Sequence, residues 1–107
     1  MPYFETGARI SFQTERLSKI SLIDTPEMFQ DLYCLEPGQE QRPHVHGSNA
    51  KTYFVLQGEG SFLVDGEERR LGPGHLVLAQ PGDPHGVRND GPQRLVLLVT
   101  MAPNPNK

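Results

Sequence analysis

From Thr52 onward the chain is interrupted by a turn signal every few residues, and no interval between two signals carries a helical period. The signals are Gly58-Glu-Gly60, Asp65-Gly66, Gly72-Pro-Gly74, Pro81-Gly82-Asp83-Pro84 and Asn89-Asp90-Gly91-Pro92. Each combines residues that reach positive φ or fix φ near the turn value, so each reverses the chain rather than continuing an element. The segments left between them, Thr52–Gln57, Ser61–Val64, Glu67–Leu71, His75–Ala79, His85–Arg88 and Gln93–Met101, are of strand length. Asp65-Gly66 suits a two-residue turn with both φ values positive, which predicts a hairpin from Ser61 to Leu71. Glu67, Glu68, Arg69 and Arg70 on its return strand read as a solvated edge that discourages strand addition. His75–Ala79 reads as a buried strand.

Upstream, Glu27–Leu35 is apolar on both parities: Met28, Leu32 and Cys34 on one, Phe29, Tyr33 and Leu35 on the other. Such a strand needs the core on one side and a cover from a neighbouring element or subunit on the other. Ala8–Phe12 and Leu17–Ile23 are expected as further strands, and Ala102–Lys107, with two prolines, as a frayed tail. A chain of 107 residues divided into two cores would leave each too small to offset chain entropy, so one domain spanning 1–107 is expected. Residues 1–26 form an N-terminal arm of that domain, swapped onto or packed against a partner subunit. The fold class is all-β: a single-domain antiparallel barrel or sandwich, for which 11 Gly and 10 Pro supply the turns.

Composition removes several function classes. A net charge of -3 with scattered Lys and Arg offers no basic footprint, so no nucleic-acid role is expected. The longest strongly apolar run, Leu95–Val99, is far short of a membrane-spanning helix, and no membrane partner is expected. One cysteine, Cys34, makes no internal disulfide, and the N-terminus lacks a signal-peptide pattern, which points to the cytoplasm. Cys34, Met28 and Met101 read as packing residues.

Chemistry is concentrated in the histidines. His44 and His46 stand two apart, so an extended chain places both imidazoles on one face, about 7 Å apart along the backbone. Neutral imidazole is a common ligand for zinc, iron, copper and nickel. A His-x-His pair alone also arises by chance on strands. His85, just after a tight turn, is a better third ligand than His75. Glu40 shares parity with His44 but lies about 13 Å away if extended, too far to join it.

Two stretches extend this pattern. Gly38-x5-His44-x-His46-x4-Lys51-x6-Gly58 resembles the first motif of the cupin family, and Gly74-x5-Gln80-x-Gly82-x2-His85-x3-Asn89 resembles the second. Together they span residues 38–89, about half the chain. The resemblance implies a jelly-roll barrel (double-stranded β-helix) in which His44, His46 and His85 point inward to a divalent transition metal from two facing strands. It also implies homodimers with N-terminal strands packed on the neighbouring subunit. Asn89, at the end of the second motif, reads as a turn residue without chemistry.

The chain departs from the pattern twice. Gln80 replaces a proline, which matters little because Pro81 and Pro84 still stiffen the turn. Lys51 replaces a glutamate that would ligate the metal, and an ammonium about 5 Å from a dication is repelled by roughly 7 kcal/mol at an effective dielectric near 20. Three outcomes are open. Lys51 turns its stem so the charge reaches solvent; or it stays inside, neutral or paired with an anion, and acts on substrate as base, donor or nucleophile; or the site holds no functional metal. Tyr53 shares parity with Lys51 and is a cavity candidate, either on substrate or as packing. Three neutral ligands would leave the metal its full charge and favour a small anionic or carbonyl-containing partner. The functional alternatives are a metal-dependent enzyme of oxygenase, isomerase or decarboxylase type, a non-catalytic binding module, and a regulator working beside a larger enzyme.

Overall fold

The computed structural model describes residues 2–107 and is built almost wholly of strands: β1 (Ser18–Asp24), β2 (Phe29–Leu35), β3 (Glu40–His44), β4 (Ala50–Gln57), β5 (Gly60–Val64), β6 (Glu67–Leu71), β7 (Leu76–Ala79), β8 (His85–Arg88) and β9 (Leu95–Ala102). They form two antiparallel sheets, one in the order β1-β2-β9-β4-β7 and the other β3-β8-β5-β6. This is the jelly-roll barrel expected. Turn chemistry sets the segment ends: Asp65 and Gly66 adopt φ 49° and 84°, joining β5 to β6 as a tight hairpin.

The interior follows the period-2 alternation of the central strands. On β4, Lys51, Tyr53 and Val55 face inward; on β9, Leu95, Leu97, Val99 and Met101 do, paired across the ladder as Lys51↔Met101, Tyr53↔Val99 and Val55↔Leu97. Phe62 and Val87 from the second sheet close the core. Each fully buried aliphatic side chain here contributes roughly 1.5–3 kcal/mol. The second apolar face of β2 is explained locally: Leu32 and Cys34 pack with Val96 outside the barrel, beneath Ile10, Phe12, Ile20 and Leu22.

Several expectations are corrected. Ala8–Phe12 is not a strand: Thr6–Arg9 is a short 3-10 turn, and Ile10 and Phe12 follow without pairing, because their side chains are used as a lid over β2 and β9. β7 is only half buried. Val77 and Ala79 face the core, while Leu76 and Leu78 are 64% and 50% exposed on the outer face of this edge strand. The C-terminal residues are docked rather than frayed, because Asn104 is buried and donates from Nδ2 to Asp24 Oδ1 (2.7 Å) and to the Thr25 carbonyl (2.8 Å). The charged strand β6 lies at a sheet edge, as expected. Among the described residues, no helix is long and apolar enough to cross a membrane.

One close approach fixes how the two histidine-bearing strands meet. β3 and β8 pair with a register shift between Gln41 and His44, and a Cβ on Gly86 would lie 2.7 Å from the Gln41 carbonyl oxygen and 2.9 Å from Pro43 N. Backbone atoms on both sides leave no room for adjustment. Gly86→Ala is therefore expected to cost about 1–3 kcal/mol, read as a lower midpoint in chemical denaturation, by forcing β3 off β8.

Candidate metal centre

β3 and β8 are neighbours in one sheet, with His44 directly opposite His85. The two histidines therefore come from adjacent strands and not from facing ones, a correction to the expected arrangement. Adjacency is the shorter route, since directly paired residues on antiparallel strands have Cβ atoms about 4.5–5.5 Å apart. His46 lies just past the end of β3, and its carbonyl accepts from Gly82 N at 2.8 Å, which ties it to the turn before β8. Ring centroids are 4.4 Å apart for His44 and His85, 4.9 Å for His44 and His46, and 5.5 Å for His46 and His85. One ring nitrogen from each lies within 4.8 Å of the others. His75 stands apart, exposed and bonded to the Gly72 carbonyl.

The donor set fits a metal ion. His44 Nδ1 lies 2.9 Å from the Arg42 carbonyl and His85 Nδ1 lies 2.8 Å from the Asp83 carbonyl. A carbonyl only accepts, so each Nδ1 carries the proton and each Nε2 presents its lone pair, the arrangement common behind ligating histidines. His85 Nε2 is buried with no hydrogen-bond partner, which is costly for a polar atom unless a ligand meets it. Burial holds the His85 imidazole down to about 4 against the opposing hydrogen bond to Asp83, with Lys51 lowering it further. Burial also lowers His44 and His46. Each shift is toward the neutral imidazole, the form that ligates. An ion held at about 2.0–2.1 Å from each nitrogen needs them about 3–3.5 Å apart, somewhat closer than the 4.8 Å within which they lie here.

Lys51 does not reach solvent. Its place on the inward parity of β4, between Met101 and Ala79, leaves it 2% exposed, which removes the first of the three outcomes, a stem turned to solvent. Nζ donates to Gln41 Oε1 at 3.1 Å and sits 5.1 and 5.4 Å from the ring centroids of Tyr53 and Tyr33. The same Gln41 oxygen accepts from the Tyr53 hydroxyl at 2.8 Å, and Gln41 Nε2 donates to Tyr33 Oη at 3.2 Å. Tyr53 is fully buried and edge-on to His85 at 6.3 Å, so it supports the polar cluster from behind. Desolvation pushes Lys51 down to about 7, with Lys19 adding repulsion and Asp31 opposing it. Burial likewise raises the Tyr53 phenol and pushes Tyr33 up to about 12, while desolvation raises Asp31.

His44, His46, Lys51, Tyr33, Gln41, Asp31 and Lys19 line a cavity of about 450 Å³, together with Pro105 and Asn106 of the docked C-terminus; Tyr53, a cavity candidate in the sequence, and His85 are not part of its lining. The volume suits a small molecule. Gln41, Tyr33, Asp31 and Lys19 were not expected at the site. Gln41 is three residues from His44, so a regular strand would aim it away; the irregularity at Arg42-Pro43 turns it inward. Pro43 was the available signal, since proline inside a strand marks a bulge or an edge. Asp31 and Tyr33 share the parity of Phe29 and Leu35, and an acidic residue within that inward row was the corresponding clue.

The buried amine has a thermodynamic signature. Its proton leaves near pH 7 in the folded chain and near the ordinary 10.5 in the unfolded one, so between these values the unfolded chain holds more protons. Stability of chelator-treated protein should therefore climb as pH rises from about 7 to 10.5. Lys51→Met should flatten that climb and raise the melting temperature at pH 7, as followed by circular dichroism.

Comparisons with known proteins bear on the family and the fold. The cupin domain family matches residues 31–101. An uncharacterized protein of Aquifex aeolicus is 30% identical over 90 residues, 84% of this chain and 72% of its own length. A Thermotoga maritima oxalate-binding protein is 27% identical over 79% of this chain and 69% of its own. A Bradyrhizobium 5-nitrosalicylic acid 1,2-dioxygenase is 29% identical over 70% of this chain but only 36% of its own. The crystal structure of TT1209 from Thermus thermophilus superposes with a TM-score of 0.95 at 39% identity, covering 98% of this chain and 100% of that one. With both histidine motifs inside the matched region, the chain belongs to the cupin family.

Proposed function

We propose that this cupin holds one divalent transition ion through His44, His46 and His85 and presents it to a small anionic or carbonyl-containing molecule in the adjoining cavity. The observation that carries the reading is the convergence of three ring nitrogens within 4.8 Å, one of them buried without a partner. When bound, the ion supplies Lewis-acid polarisation of a carbonyl or carboxylate oxygen. The residues do the rest. Arg42 and Asp83 carbonyls fix the tautomers of His44 and His85; Tyr53 and Gln41 hold Lys51 in place; and Met101 and Phe29 keep one wall of the cavity apolar.

Two relatives support a carboxylate-bearing partner by what they are named for: oxalate binding in the Thermotoga protein, and dioxygenation of 5-nitrosalicylic acid in the Bradyrhizobium protein. These names fit both a metal-dependent enzyme of oxygenase, isomerase or decarboxylase type and a module that binds without turnover. Lys51 in place of a ligating glutamate favours the binding module, because the protein contributes no negative charge to the ion. Three imidazoles suit iron, nickel, zinc, cobalt, manganese or copper, and ion identity follows from metal analysis.

Elemental analysis of protein reconstituted with zinc, iron(II) or cobalt(II) and desalted should find one ion per chain. His46→Ala should lower affinity at least tenfold while leaving the fold intact, because that side chain is half-buried and past the end of β3. Substoichiometric metal in the wild type under all three ions, or equal retention in His46→Ala, contradicts the reading.

A further inference from the structure

Lys51 turns a buried amine inward, and the acceptor bonded to it is not a carboxylate. It is 2% exposed, its Nζ lies over the rings of Tyr33 and Tyr53, and its hydrogen-bond acceptor is the neutral amide oxygen of Gln41. An ammonium has three N–H donors, so two remain for a ligand in the cavity that Lys51 lines. Among the described residues no carboxylate forms an ion pair with it. The other charged side chains facing the cavity are Asp31 from β2 and Lys19 from β1, one of each sign. The histidine side chains add no negative charge. The cavity is therefore short of negative charge even before any cation joins the histidines, and a bound cation would deepen the deficit.

Charge deficit and placement together constrain the occupant. Lys51 lines the cavity from an inward position of β4, between Met101 of β9 and Ala79 of β7. Gln41 Oε1 binds both Lys51 Nζ and the Tyr53 hydroxyl, which holds the ammonium in one position and leaves its free donors to the cavity. His44 and His46 line the same cavity, so one compact molecule can meet the amine and the imidazole cluster together.

We propose that Lys51 anchors the carboxylate of the ligand, which is a compact acid bearing a second oxygen next to that carboxylate, such as a 2-oxo acid or an ortho-hydroxy aromatic acid. The carboxylate takes the ammonium, with Gln41 and Tyr53 as positioning residues, and the second oxygen turns toward His44, His46 and His85. Only the placement of the second oxygen rests on the metal reading above; the salt bridge to Lys51 does not.

The test is calorimetric titration of pyruvate and salicylate, each beside its amide, pyruvamide and salicylamide, into metal-loaded and chelator-treated protein, with metal content measured on every sample. Wild type should bind the acids at least tenfold more tightly than the amides in both forms. Lys51→Met should lose about ten- to hundred-fold in affinity for the acids in both forms while keeping its metal, the range expected for a charge-assisted hydrogen bond. Lys51→Glu should hold metal more tightly and bind neither acid. Equal binding of acid and amide by the wild type overturns the proposal without any variant, as does undiminished acid binding by a folded Lys51→Met. A wild type that binds no metal but still discriminates acid from amide refutes the metal reading and upholds the Lys51 anchor.

Discussion

The site depends on the backbone seam between β3 and β8. Gly86 lets β8 approach to where any side chain would strike the Gln41 carbonyl and Pro43, and this approach sets His44 opposite His85 in the ladder. Three consequences share that seam. The two imidazoles meet edge to face with centroids 4.4 Å apart, the irregularity at Arg42-Pro43 rotates Gln41 inward, and the same short segment supplies the carbonyl that fixes the tautomer of His44. Moving β3 outward by a fraction of an ångström would loosen all three at once.

Around the seam, the barrel is built to two standards. One end is ordinary core: Leu35, Leu95, Leu97, Val55 and Phe62 in one apolar cluster. The other end buries an amine, two phenols and an unpartnered imidazole nitrogen beside Met101, Phe29 and the half-buried amide of Gln41. Burying such groups costs stability unless their bonding is complete, and here it is incomplete: Lys51 has one acceptor and His85 Nε2 has none. Incomplete polar satisfaction in an otherwise well-packed barrel is what a site shaped for something other than protein looks like. The same logic separates Lys51 from the surface charges. Arg70, Arg88 and Asp90 satisfy one another in an exposed network and need no ligand.

Much of the fold is legible in the sequence because it is governed by local rules. Gly and Pro spacing marks the turns, and the Asp65-Gly66 hairpin needs only two backbone angles. Motif spacing singles out the three histidines that the fold gathers, and it separates His85 from His75. Features that depend on distant partners are not legible. Which strands are neighbours decides whether His44 and His85 face or flank each other, and no short-range signal carries that. The docking of Asn104 depends on Asp24 and Thr25, some eighty positions away in sequence. The half-exposure of β7 depends on its being an edge strand. Lys51 is the instructive case. Its parity with Tyr53 and Val55 placed it inside, and a general aversion to buried charge argued for the surface; the packing of β4 between β9 and β7 decided for the interior.

The central claim is that one imidazole nitrogen from each of three residues meets around a common point that a metal ion occupies. Anomalous diffraction at the cobalt edge from crystals of the cobalt-loaded protein measures this directly. A single strong peak at bonding distance from one ring nitrogen each of His44, His46 and His85 is the expected result. No peak between those rings, or cobalt held only at a surface histidine such as His75, would contradict it.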